Sequence, residues 1–153
     1  MTPPTPPTPL TPRPLVLTTS ARALYPIMLL ISVWVLLRGH NQPGGGFIGG
    51  TIAVAATSLW AVAFGAKDAL GRIPLGPVRL GAGGALLALS SGVLGPLVGR
   101  PFLTHLWVDL DLAVTTIPLS TVLPFDLGVY ATVWASLGAI CAHAIGLDEE
   151  AEA

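Results

Sequence analysis

Apolar residues in this chain follow neither a soluble helix pattern nor a strand pattern over long stretches. They gather into four runs, near 23–37, 46–64, 78–98 and 125–145, separated by short clusters of glycine, proline and charge. A membrane-crossing helix takes roughly 20 predominantly apolar residues. The second, third and fourth runs meet that length unaided. The first is short, and Arg22 and Arg38 complete it if they sit at the two interfaces with their charged heads reaching outward. Asp, Glu, Lys and Arg enter the third and fourth runs only at their starts, as Arg79 and Asp126. The pattern predicts an all-α membrane protein with about four transmembrane helices.

The segments between the runs have their own signatures. Residues 1–14 are a Pro/Thr repeat that cannot bury a core and reads as a solvated, polyproline-like tail. Residues 99–124 hold Arg100, His105, Asp109 and Asp111 among apolar residues and threonines. That stretch is too long for a tight turn and too polar to span. It is expected as a long external loop between helices 3 and 4, folded as an extended hairpin or a short interfacial helix. The alternation from Leu106 to Leu112 favours strand. The predicted organisation is a disordered tail over 1–20, a four-helix membrane domain over 21–146 and an acidic tail over 147–153. With four spans, Arg13, Arg22, Lys67, Arg72 and Arg79 share one side, against Arg38 and Arg100 on the other. Basic residues collect on the cytoplasmic side, so both termini are expected there.

Composition narrows the function classes. Charged residues make up 10% of the chain, where a soluble domain carries about 25%, so most of the surface must face lipid or apolar partners. The net charge of −1 leaves no basic patch for nucleic acid. One cysteine, Cys141, excludes a disulfide framework and a cysteine-only metal site, and it reads as a small packed thiol. No nucleophile–base set points to an enzyme, no residue cluster calls for a cofactor or metal, and no helix shows the polar stripe of a channel. Small residues recur at helical spacing: Gly45/Gly49, Gly46/Gly50, Gly95/Gly99, Gly81 to Ala88, and Gly128, Thr132, Ala135 and Ala139. Such faces let membrane helices approach closely. They are expected to pack the four helices and, in part, to dock against other subunits.

One segment stands apart, the run from Arg38 to Gly50 with the sequence RGHNQPGGGFIGG. Asn41 and Pro43 are turn residues, and Gly44, Gly45 and Gly46 permit backbone conformations closed to other residues. The second helix begins here, with its unpaired N–H groups and positive dipole end facing the loop. Phe47 is the first large side chain and can shape or plug a passage. A phosphate-binding loop is excluded because no Lys-Ser/Thr follows the glycines and no strand precedes them. His40 is open to reading as a proton relay, a metal ligand or a hydrogen-bonding interfacial residue.

The run HNQPGGGFIGG, set between the first two apolar segments, closely resembles the signature of the MnhB-type component of Mrp (Mnh) Na+/H+ antiporters. Leu123 to Tyr130, LPFDLGVY, is similar to a second motif of that family. The resemblance covers roughly 21–145. It implies a non-catalytic subunit of a large membrane complex that exchanges cytoplasmic Na+ for external protons, supporting assembly and the sodium-translocating part. The implied partners are the other antiporter subunits, the transported Na+ and H+, and the lipid bilayer. Two alternatives stay open: an MnhB-like component of a membrane-bound hydrogenase or complex I-like assembly, and an independent small channel protein. Candidates for an ion path or a subunit contact are His40, Asn41, Pro43, Gly44, Gly45, Gly46, Phe47 and Asp126. Asp126 either faces an external vestibule shared with a partner or stabilises the start of the last helix, an effect of about 0.3–1 kcal/mol.

Overall fold

The computed structural model describes residues 15–39, 43–104, 107–112 and 115–151, with 107–112, 115–120 and 148–151 described as backbone. The elements in chain order are α1 (Leu15–Arg38), α2 (Gly46–Phe64), a short α3 (Ala66–Gly71), α4 (Pro77–Leu97), β1 (Trp107–Leu112), β2 (Thr115–Ser120) and α5 (Val122–Ala151). Four helices are long and apolar enough to cross a membrane: α1, α2, α4 and α5 over Val122–Leu147. The membrane-crossing part is therefore all-α, as the hydropathy pattern predicts. In lipid every backbone N–H and C=O must be satisfied within the segment, which leaves the helix as the available form for a single span.

The long helices stand in a row, α1–α2–α5–α4. Each of α1·α2, α2·α5 and α5·α4 is an extensive contact, α1 barely reaches α5, and α4 makes no comparable contact with α1 or α2 among the described residues. The outer helices consequently expose large apolar side chains, including Leu30, Trp34 and Leu37 on α1 and Val78, Leu86 and Leu97 on α4. α2 lies inside the row, and its Ala53, Ala56, Ala61 and Ala63 are fully buried.

The helix bounds have local causes. α1 begins directly after Pro14, the last proline of the repeat. Residues 15–20, expected in the disordered tail, are thus helical. Residues 1–14 lie outside the described part. α2 runs as predicted. Gly65, at φ 96°, turns the chain into α3, which hydropathy did not reveal. Gly76, at φ 78°, and Pro77 start α4, and Gly99, at φ 73°, follows its end. The predicted hairpin is present: β1 and β2 pair antiparallel, with Trp107 opposite Ser120 and Leu112 opposite Thr115. α5 continues as helix into the acidic tail, through Ala151.

Small residues make the seams. A Cβ at Gly84 would lie 2.7 Å from the Gly128 carbonyl oxygen, and one at Gly128 would lie 2.6 Å from the Ala88 nitrogen, so α4 and α5 cross at backbone contact. Gly92 and Gly95 pack on the chain's own Pro101–Leu103 turn. Most of the small faces are thus consumed by packing inside the row. Gly83 and Gly99 face open space.

Candidate functional site

The glycine-rich segment and Asp126, far apart in sequence, meet at one end of the row. After α1 the chain turns at Gly39 and doubles back, so that the Gly45 N–H donates to the Val35 carbonyl at 3.1 Å. A Cβ at Gly39 would strike the Gly45 backbone, and one at Gly44 would lie 2.6 Å from the Val35 oxygen. Gly45 adopts φ 96°, in the left-handed region that favours glycine. From Gly45 onward the glycines serve two neighbours in turn. A Cβ at Gly49 would lie 2.7 Å from the Ser32 carbonyl of α1. A Cβ at Gly46 would overlap the Asp126 carbonyl of α5, and one at Gly50 would press on Val133 at 3.0 Å. Adjacent glycines thus admit α1 on one side of α2 and α5 on the other.

Asp126 lies one turn into α5, and its carboxylate rests against Gly45; Oδ2 would be 3.3 Å from a Cβ there. The first amides of α2 point toward this end and have no intrahelical partner. A carboxylate at that position is stabilised by the positive end of the α2 dipole. The Asp126 carboxylate thus faces the start of a different helix from the one it belongs to, a placement that reading its own helix start does not include. Phe47 is 62% exposed, on the outside of the row. Pro43 is exposed on the turn. His40 and Asn41 lie outside the described residues.

Below Asp126, α5 carries Tyr130 and Trp134 at successive helical turns, a stripe that sequence reading missed. The Tyr130 hydroxyl lies 2.9 Å from Ser32 Oγ. Ser32 Oγ gives its own proton to the Leu29 carbonyl at 2.8 Å, so Tyr130 is the donor of the shared bond. Trp134 Nε1 donates to Thr57 Oγ1 at 2.9 Å, and Thr57 donates in turn to the Ala53 carbonyl at 3.0 Å. Ser32 and Thr57 are fully buried. The signal was present as Ser32 and Thr57 within the two apolar runs, but pairing them with Tyr130 and Trp134 requires the tertiary contact. These bonds join α5 to α1 and α2, and the Trp134 indole N–H is a donor only. Among the described residues, no cluster of His, Cys, Asp and Glu is placed to hold a metal.

Four apolar helices in an open row, joined by glycine seams and neutral hydrogen bonds, define a multi-pass membrane protein with two unclosed flanks. The pattern of the family described as "domain related to MnhB subunit of Na+/H+ antiporter" matches residues 16–139. The chain is 38% identical over 120 residues to the corresponding Na+/H+ antiporter component of Bacillus subtilis, covering 78% of this chain and 84% of the relative. It is also 38% identical over 118 residues to its counterpart in Alkalihalophilus pseudofirmus, covering 76% and 82%. Among solved structures, the Mrp complex from Dietzia sp. contains a similar chain, with a TM-score of 0.71 and 31% identity over 93% of this chain. This chain spans only 16% of the length of that one. The chain belongs to the MnhB family of Na+/H+ antiporter subunits.

Proposed function

We propose that this protein is the MnhB-type component of a multi-subunit Na+/H+ antiporter, in which it builds and braces the assembly without carrying the proton itself. The observation that carries this reading is the character of the span interiors. Between Asp126 at one end and Arg22, Arg79 and His143 at the other, the described residues of the four spans include no Asp, Glu, Lys, Arg or His. Ionisable groups within a membrane usually mark an ion path, so a transporter acting alone would place at least one there. The chain does no catalysis of its own. The exposed flanks of α1 and α4 dock on neighbouring subunits, and the junction of Gly44, Gly45, Gly46 and Asp126 contacts a partner or borders its cation passage, a role we extend to His40, Asn41, Pro43 and Phe47 from the sequence motif alone. Both termini face the cytoplasm, following the five-to-two distribution of basic residues.

Deleting the protein should abolish Na+-dependent antiport in everted vesicles, and full antiport by the remaining subunits would refute its requirement. Purification in mild detergent should recover it with several other hydrophobic chains. Recovery of hydrogenase subunits instead would place it in the related complex. Cysteine labelling should find the termini inside and the β1–β2 hairpin outside. A labelled C-terminus on the external face would overturn the topology.

A further inference from the structure

The opposite end of the row carries an arrangement that the antiporter reading does not use. Trp60 meets Tyr25 edge-on at 5.0 Å and stacks on Phe64 at 4.2 Å. The Arg72 guanidinium lies 3.4 Å over the Trp60 ring, and Arg22 lies 5.3 Å over Phe64. Asp68, on α3, accepts the Trp60 indole N–H and sits 3.6 Å from Arg72 Nε. Between α1, α2 and α3 these residues border an open recess of about 680 Å³, whose apolar wall continues along α1 through Pro26 and Leu29. A second recess of about 580 Å³ shares Phe64, Asp68 and Arg72 and adds Lys67.

Charge and position together identify the occupant. Arg22, Lys67 and Arg72 face a single carboxylate, Asp68, which Arg72 already engages. Neither Arg22 nor Lys67 pairs with a carboxylate among the described residues. Among the side chains the structure describes, these four leave an excess of two positive charges. α2 has 19 residues, about 28 Å of helix at 1.5 Å per residue, close to the hydrocarbon thickness of a bilayer. Its last residue, Phe64, thus falls where lipid phosphates begin. A quaternary ammonium headgroup is a poor fit, because Arg72 already occupies the face of Trp60. We infer that this recess binds the phosphate headgroup of an anionic phospholipid between Arg22 and the Lys67–Arg72 side, with an acyl chain lying along Pro26 and Leu29. Basic recesses between membrane helices suit such headgroups, and each basic side chain near the surface contributes about 1 kcal/mol.

The test uses the assembled complex in detergent, stripped of loosely held lipid and titrated with phosphatidylglycerol, phosphatidylcholine or inorganic phosphate, with bound lipid counted by native mass spectrometry. Phosphatidylglycerol should be retained, and the R22Q/K67Q double variant should bind it roughly 30-fold more weakly, about five-fold for each charge removed. The R22K variant should retain it. Equal retention by wild type and R22Q/K67Q would overturn the proposal, as would equal binding of phosphatidylcholine or displacement by millimolar inorganic phosphate. If R22Q/K67Q fails to assemble, a photoactivatable phosphatidylglycerol decides on the wild-type complex. It should label peptides containing Arg22 or Lys67–Arg72, whereas labelling elsewhere, or a neighbouring subunit crosslinked at Arg22, would refute the site.

Discussion

The two ends of the helix row are held together by opposite means. At the Gly45–Asp126 end, side chains are removed so that backbones touch: α2 meets α1 through Gly49 and α5 through Gly46 and Gly50. At the Trp60 end, side chains are as large as they come, and three aromatic rings with two guanidiniums line the recess between α1, α2 and α3. Two different sources of attraction are used. Small residues let membrane helices gain contact area by close approach. Amphipathic rings and snorkelling arginines gain at a boundary with water by keeping an apolar body and a wet tip. One end resists additions and the other resists deletions.

That contrast can be broken most decisively at Gly46. Leucine there must enter the space of the Asp126 carbonyl and lie 3.0 Å from the Tyr130 amide, and backbone cannot yield as a side chain does. Gly46→Leu should eliminate nearly all intact complex on a native gel. Ala55→Leu, at an exposed position of the same helix, should leave the yield within about 0.5 kcal/mol of wild type. Ala53 is an unsuitable control, since it is fully buried beside Leu36, Tyr130 and Trp134.

The converse experiment is Trp60→Ala. Emptying the aromatic stack should cost about 3 kcal/mol and lower the thermal midpoint of the purified complex, whereas Trp60→Phe should recover most of the loss. Recovery by Phe would assign the stability to the rings; failure of Phe would shift it to the bond between the indole and Asp68.

Between the two ends, the neutral clasps should register as small couplings. A double-mutant cycle on Ser32→Ala and Tyr130→Phe should give about 0.6 kcal/mol, the usual worth of a hydrogen bond between membrane helices. A value near zero would mean that the 2.9 Å contact adds nothing to packing.

Asp126→Asn should have a comparably small effect on stability, about 0.3–1 kcal/mol, because the amide keeps the volume and loses only the charge facing the α2 dipole. Its readout is antiport measured across a range of Na+. An altered apparent affinity with the complex intact would place this junction beside the cation path. Unchanged kinetics would leave the carboxylate with its helix-stabilising role.

The membrane class, the four spans, the bounds of α2 and the extended hairpin between α4 and α5 were all legible in the order of residues alone. Each of these depends on local quantities: the length of an apolar run, the alternation from Trp107 to Leu112, and the turn chemistry of Pro43 and the glycines. The two motifs that carry the family likeness were equally plain. The start of α1 was misplaced, because Leu15 to Ser20 contains Thr and Ser that hydropathy discounts although a helix accepts them; Thr18 Oγ1 bonds back to the Leu15 carbonyl at 3.1 Å. Which helices are neighbours emerged only from the folded chain. With that came the meeting of Gly45 and Asp126, the clasps of Ser32 with Tyr130 and of Thr57 with Trp134, and the stacking of Arg72 on Trp60. All four spans are apolar around most of their circumference, which is why their sequences leave these pairings open. With no polar face to orient it, a membrane helix is rotated by where its glycines and lone hydroxyls find a complementary surface, and that surface lies on another part of the chain.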